Sequence, residues 1–83
     1  GDNMRIDKYL KNSRLIKRRT VAKEACEQER ITVNDKVAKP GTEVKEGDIV
    51  EIKFGNNTIK VRITKILETV RKEDAADMYE VIQ

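Results

Sequence analysis

Beyond Arg30 the spacing of apolar residues falls from a period of 3.6 to a period of 2, and this switch limits the fold more than any other feature of the chain. Before it, "RIDKYLKN" sets Ile6, Tyr9 and Leu10 on one side of a helical wheel and Arg5, Lys8 and Lys11 on the other. "RRTVAKEACEQE" repeats the design, with Val21, Ala22, Ala25 and Cys26 as an apolar stripe and Arg19 and Lys23 one turn apart along its edge. After it, turn residues recur at Asn34-Asp35, Pro40-Gly41 and Gly47-Asp48, which marks short strands joined tightly. "IVEIKF" and "TIKVRITKI", linked by Gly55-Asn56-Asn57, read as a hairpin that buries Val50, Ile52 and Phe54 with Ile59, Val61 and Ile63. The tail "RKEDAADMYEVIQ" reads as a helical turn around Glu73 to Asp77 followed by an extended segment that can add a strand. The expected class is α+β: two N-terminal helices packed on a small, mostly antiparallel sheet.

With 83 residues the chain can hold one domain with one small core, and a catalytic cleft between domains is out of reach. What distinguishes its polar surface is an asymmetry of charge. From Met4 to Lys23 there are eight cations, Arg5, Lys8, Lys11, Arg14, Lys17, Arg18, Arg19 and Lys23, against the single acid Asp7, so this stretch carries +7. Everything after Lys23 sums to −3. Surface cations commonly do no more than solvate helix faces, but such faces interleave both signs, and here only Asp7 and Lys11 have helical pairing distance before Glu24. A dense cationic block beside a mildly acidic remainder fits a polyanionic partner, with those eight residues as the binding candidates. Lys60 and Arg62, on the outer face of the hairpin, are expected mainly to keep the sheet soluble.

Other chemistries lack their parts. There is no histidine and no Gly-rich phosphate loop, and Cys26 is the sole cysteine, so no enzymatic activity, metal or cofactor is expected. Cys26 lies on an apolar stripe, as an inert core thiol does, and cannot form an internal disulfide. Tyr9, Phe54 and Tyr79 are the only aromatics. Tyr9 falls on the packing side and Phe54 on the buried face of the hairpin, which leaves no platform for stacking successive bases. Phosphate contact and recognition of a folded RNA shape remain. The second helix offers small apolar residues rather than the bulky face a membrane-surface helix needs, and no apolar run approaches the length of a signal core or membrane span. A cytoplasmic chain is expected, with Met4 as the natural start and Gly1, Asp2 and Asn3 left over from cloning.

"RIDKYL", "RRTVAKEACEQERITVND" and "KVAKPGTEVKEGDIV" together resemble the RNA-binding domain family named after the fourth protein of the small ribosomal subunit, over Arg5 to about Phe54. The resemblance implies a core motif at 5–54, with the hairpin and tail at 55–83 completing one domain over 4–83, and an RNA-binding face made by the two helices and the following turn. "MRIDKYLKNSRLIKRRTVAKE" and "AADMY" are similar to the free-standing RqcP (YabO) group of bacterial ribosome-associated quality control. This implies a cytoplasmic, ribosome-associated monomer that binds large-subunit rRNA and the peptidyl-tRNA in the P site. It further implies support for the tailing factor RqcH as it adds alanines to stalled chains. Arg5 and Arg19 are the matching arginines, with Arg14, Lys17 and Arg18 beside them. A heat-shock group of the same family that recycles nascent-chain-bound large subunits, a generic rRNA-binding module, a fragment of a pseudouridine synthase or tRNA synthetase, and a protein-interaction adaptor are the alternatives. The sequence departs from the family pattern at Glu29, where glycine commonly ends the second helix, and at Asp35, a turn position where glycine is common.

Overall fold

The computed structural model describes residues 3–83, so Gly1 and Asp2, two of the three expected cloning remnants, lie outside the described residues. Strand β1 (Met4–Arg5) leads into helix α1 (Ile6–Asn12), and helix α2 is Arg19–Glu27. Six more strands and a 3-10 helix follow: β2 (Ile31–Val33), β3 (Lys36–Val37), β4 (Glu43–Val44), β5 (Ile49–Phe54), β6 (Asn57–Ile63), the 3-10 helix Lys72–Met78 and β7 (Tyr79–Val81). β3-β2-β5-β6-β7 form one antiparallel sheet, and β1 pairs with β4 in a second, two-stranded one. The expected α+β architecture is therefore present, and the tail supplies both its helical turn and its strand.

The period switch works as elementary geometry requires. Ile6, Tyr9 and Leu10 of α1, Ala22 and Cys26 of α2, and Ile31, Val50, Ile52, Val61 and Ile63 of the sheet are all buried in one core. Two residues assigned to that core by spacing lie outside it. Val21 is 47% exposed because the buried stripe of the nine-residue α2 is as narrow as its Ala22–Cys26 ridge, and a neighbour 100° around the axis falls off it. Phe54, also 47% exposed, keeps the alternation but ends β5 at the hairpin turn, beyond the helices that cover Val50 and Ile52. Arg5, expected on the outer face of α1, precedes the helix and pairs with Glu43 of β4.

Turn chemistry fixes the strand register. Asn34 and Asp35 both have positive φ (51° and 68°), as a two-residue type I′ turn between β2 and β3 demands, and both residue types tolerate that region. The Asn34 amide donates to Asp48 Oδ1 (3.1 Å) and its carbonyl accepts from the Ile49 N–H (3.0 Å), which ties this turn to the one before β5. Gly55 (φ 55°) opens the two-residue turn between β5 and β6, and Asn57, assigned to the link by sequence, is the first residue of β6, opposite Phe54.

Both helices end in a left-handed residue that is not glycine. At the end of α2, Glu29 (φ 61°) donates from its N–H to the Cys26 carbonyl (3.0 Å) and Arg30 to that of Ala25 (2.9 Å), the hydrogen-bond pair of a Schellman motif. At the end of α1, Arg14 (φ 63°) donates to the Lys11 carbonyl (3.0 Å). Three contacts then tie α1 to the C-terminal part of the chain: the Tyr9 hydroxyl donates to the Met78 carbonyl (2.8 Å), Asn12 Nδ2 donates to the carbonyls of Leu67 (3.1 Å) and Glu68 (3.3 Å), and Lys8 pairs with Glu68.

Candidate nucleic-acid interface

The eight candidate cations sort into two groups and three more scattered positions. The first group is built around Asp7, the acid inside the cationic block. Its residue is 2% exposed, and a buried carboxylate must be compensated. Arg5 does so as a fork, from Nε to Oδ1 and from Nη2 to Oδ2, both at 3.2 Å. The Lys8 N–H adds a bond to Oδ1 (2.8 Å), and Arg19 Nη2 approaches the same oxygen at 3.5 Å. Arg5 and Arg19 thus converge from β1 and from the first turn of α2 on one anchor, although fourteen positions separate them in sequence. Their side chains remain 52% and 48% exposed, so donors not spent on Asp7 face solvent. Asp7 therefore pairs with these two arginines and not, as its spacing suggested, with Lys11. Arg19 opens α2, where a cation opposes the helix dipole, and the Asp7 contact offsets that cost.

The second group surrounds a cleft of about 410 Å³. Lys11 on α1 and Arg14 and Lys17 on the connection to α2 line one side, and Glu68, Thr69 and Val70 line the other. Asn12 holds this second wall in place through the Leu67 and Glu68 carbonyls. The left-handed turn at Arg14 bends the chain out of α1 toward this cleft and carries a conformational cost that glycine would avoid. Lys8 sits between the groups, paired with Glu68, while Arg18, at the N-cap of α2, and Lys23, one turn beyond Arg19, are exposed. Arg62, on the hairpin, pairs with Glu80 (3.5 Å) across the β6–β7 ladder, a local partner that most of the N-terminal cations lack among the described residues.

Three contributors escaped sequence reasoning. Asp7 stands out in the sequence as the lone acid of the block, but its role as the anchor of both arginines does not, since its link to Arg19 is tertiary. Asn12 and Glu68 meet across more than fifty residues, and no local pattern marks them. The remaining polar groups of the region belong to the core. Burial pushes the Cys26 thiol up to about 11, with the Asp7 and Glu27 carboxylates adding to the shift, which leaves the group protonated and unreactive at neutral pH. Burial, reinforced by Tyr79, also pushes the Tyr9 hydroxyl well above its ordinary value, consistent with its role as a hydrogen-bond donor inside the core. Among the described residues no cluster of His, Cys, Asp and Glu could hold a metal ion, and no helix is long and apolar enough to cross a membrane.

Residues 4–50 match the S4 domain family. A protein of Halalkalibacterium halodurans named RQC P-site tRNA stabilizing factor is 65% identical over 78 residues, which cover 94% of this chain and 89% of the relative. Its namesake in Listeria monocytogenes is 55% identical over 80 residues, 96% of this chain and 87% of the relative. Among solved structures, the trimeric structure of Vibrio cholerae Heat Shock Protein 15 superposes with a TM-score of 0.88 at 27% identity, over 96% of this chain and 82% of that one. Identity at this level over nearly the full length of the relatives, with the basic helix pair inside the matched segment, means that the chain belongs to the S4 domain family and, within it, to the family of RQC P-site tRNA stabilizing factors.

Proposed function

We propose that this chain is a non-enzymatic, cytoplasmic RNA-binding factor of ribosome-associated quality control, acting as a single domain over residues 4–83. It seats on the large ribosomal subunit carrying an obstructed peptidyl-tRNA, touches rRNA and the P-site tRNA with the face built by α1, α2 and their connection, and so supports alanine tailing by RqcH. It does this as a monomer. The observation that carries the reading is the convergence of Arg5 and Arg19 on the buried Asp7, which holds two half-exposed guanidiniums in fixed positions. A planar fork so held meets phosphate or a base edge with two hydrogen bonds and little further loss of side-chain freedom. Lys8, Lys11, Arg14, Lys17, Arg18 and Lys23 add the surrounding positive field.

Sedimentation with large subunits at several salt concentrations tests the binding mode. Neutralising about five phosphates gives a slope of log affinity on log salt of about −3.5 to −4.5. A slope near zero would overturn RNA as the partner. The fold likeness to the Vibrio cholerae heat shock protein favours a second reading, recycling of large subunits that carry nascent chains. Alanine tails on stalled chains separate the two: the quality-control reading requires that they disappear in cells lacking the protein and return with the parent sequence but not with Arg19→Ala.

A further inference from the structure

The cleft beside α1 has two unlike walls. Lys11, Arg14 and Lys17 form a cationic side, and Glu68, Thr69 and Val70 face them with a carboxylate, a hydroxyl and an apolar surface. A seat for phosphate alone would not retain a carboxylate in its wall, because like charge repels the ligand. Glu68 is nevertheless set there: Asn12 fixes its backbone from α1, and Lys8 pairs with its carboxylate. That pairing offsets part of its charge while each oxygen keeps lone pairs for further donors. The volume, about 410 Å³, lies at the lower end of small-molecule clefts. The ligand that matches both walls carries an anion at one end and N–H donors at the other.

We infer that this cleft takes one extruded nucleotide of the bound RNA, with its phosphate against Lys11, Arg14 and Lys17 and its base edge donating to Glu68. The inference rests on the RNA-binding reading above and adds a base preference to it. Guanine fits best, since its adjacent N1–H and N2–H match the two oxygens of a carboxylate. Uracil presents one N–H flanked by two carbonyls, which Glu68 repels. The Arg14 guanidinium offers a planar surface for the base in a region without aromatic side chains. Glu68 is then a specificity-determining residue in an interface otherwise made of phosphate contacts.

Three RNA hairpins distinguish the outcomes: one with a single bulged guanosine, one with a bulged uridine, and one fully paired. Fluorescence anisotropy should give a dissociation constant about tenfold lower for the guanosine bulge than for the other two, the discrimination that one good base contact supplies. In Glu68→Gln, whose folding a thermal melt verifies, affinity for the uridine-bulged and paired hairpins rises slightly as a negative charge is lost, affinity for the guanosine bulge falls, and the guanosine preference collapses. Equal binding of the three hairpins by the parent, with steep salt dependence, would overturn the nucleotide seat and leave the RNA-binding reading standing. A preference that survives Glu68→Gln would likewise remove Glu68 from the site. Failure of every hairpin to bind would overturn both.

Discussion

Replacing Glu29 by glycine should stabilise the protein, and replacing Arg14 by glycine should stabilise it less while damaging RNA binding. Each residue occupies a left-handed position after a helix, at φ 61° and 63°. There a β-carbon crowds the following carbonyl at a cost of about 1–2 kcal/mol, which glycine escapes. Glycine gives back about 0.4–1 kcal/mol through its greater freedom in the unfolded chain. The charges then separate the two sites. Glu29 is an anion at the C-terminal end of α2 and Arg14 a cation at that of α1, so the dipole adds a few tenths of a kcal/mol to the gain at Glu29 and subtracts them at Arg14. The expected net is about +1 kcal/mol for Glu29→Gly, or about 4–8 °C in Tm for a domain of this size, and a few tenths for Arg14→Gly. Glu29→Gln, which removes the charge and keeps the β-carbon, isolates the electrostatic part and should recover less than half of the gain. Calorimetric melts of the three variants and large-subunit sedimentation of the two glycine variants are the assays. A destabilised Glu29→Gly would refute the conformational reasoning, and full ribosome binding by Arg14→Gly would remove Arg14 from the interface.

Arg19→Ala should lose most large-subunit association and Arg19→Lys should recover part of it, since lysine lacks the fork; because Arg5 still covers Asp7, the melting temperature of Arg19→Ala should fall only slightly, and wholesale unfolding would make the arginine structural. Lys60→Gln with Arg62→Gln should leave the fold intact and weaken sedimentation less than Arg19→Ala; the reverse order would put the RNA on the sheet. Stability should decline on the alkaline side. The folded Cys26 thiol holds its proton to about pH 11, against about 9 for an unfolded thiol, so its contribution is complete below about pH 9 and is lost as pH rises through 11. Urea midpoints of the parent should therefore fall more steeply over that window than those of Cys26→Ala, and equal slopes would refute the assignment.

The elements were legible in the sequence because both periods are strong and the turns are chemically explicit: Asn34-Asp35 and Gly55 can adopt positive φ, and they sit where the strands reverse. What failed, failed at the ends of elements. Whether Phe54 is covered depends on how far the helix layer extends over the hairpin, and whether Arg5 opens a helix depends on β4, nearly forty residues away. Of the site, the cations were legible as a block of charge. Their arrangement was not, since Asp7, Asn12 and Glu68 act through contacts that close only in three dimensions. Glu29 is a different case: the sequence shows a departure from glycine, and the structure shows the motif formed regardless, with strain in place of failure.

The ties from Tyr9 to Met78, Lys8 to Glu68 and Asn12 to Leu67 span 69, 60 and 55 positions. Contacts of such separation close late in folding, after local hairpins have formed, because the long intervening loop must first be ordered. During synthesis the cationic segment leaves the ribosome well before the residues that clamp α1. The arginines are therefore made before the contacts that fix α1, and with it their arrangement, can form. A molecule truncated before Met78 would keep the whole cationic block and lose the Tyr9 tie that holds α1 in place, so charge and its ordered presentation are separable in this fold.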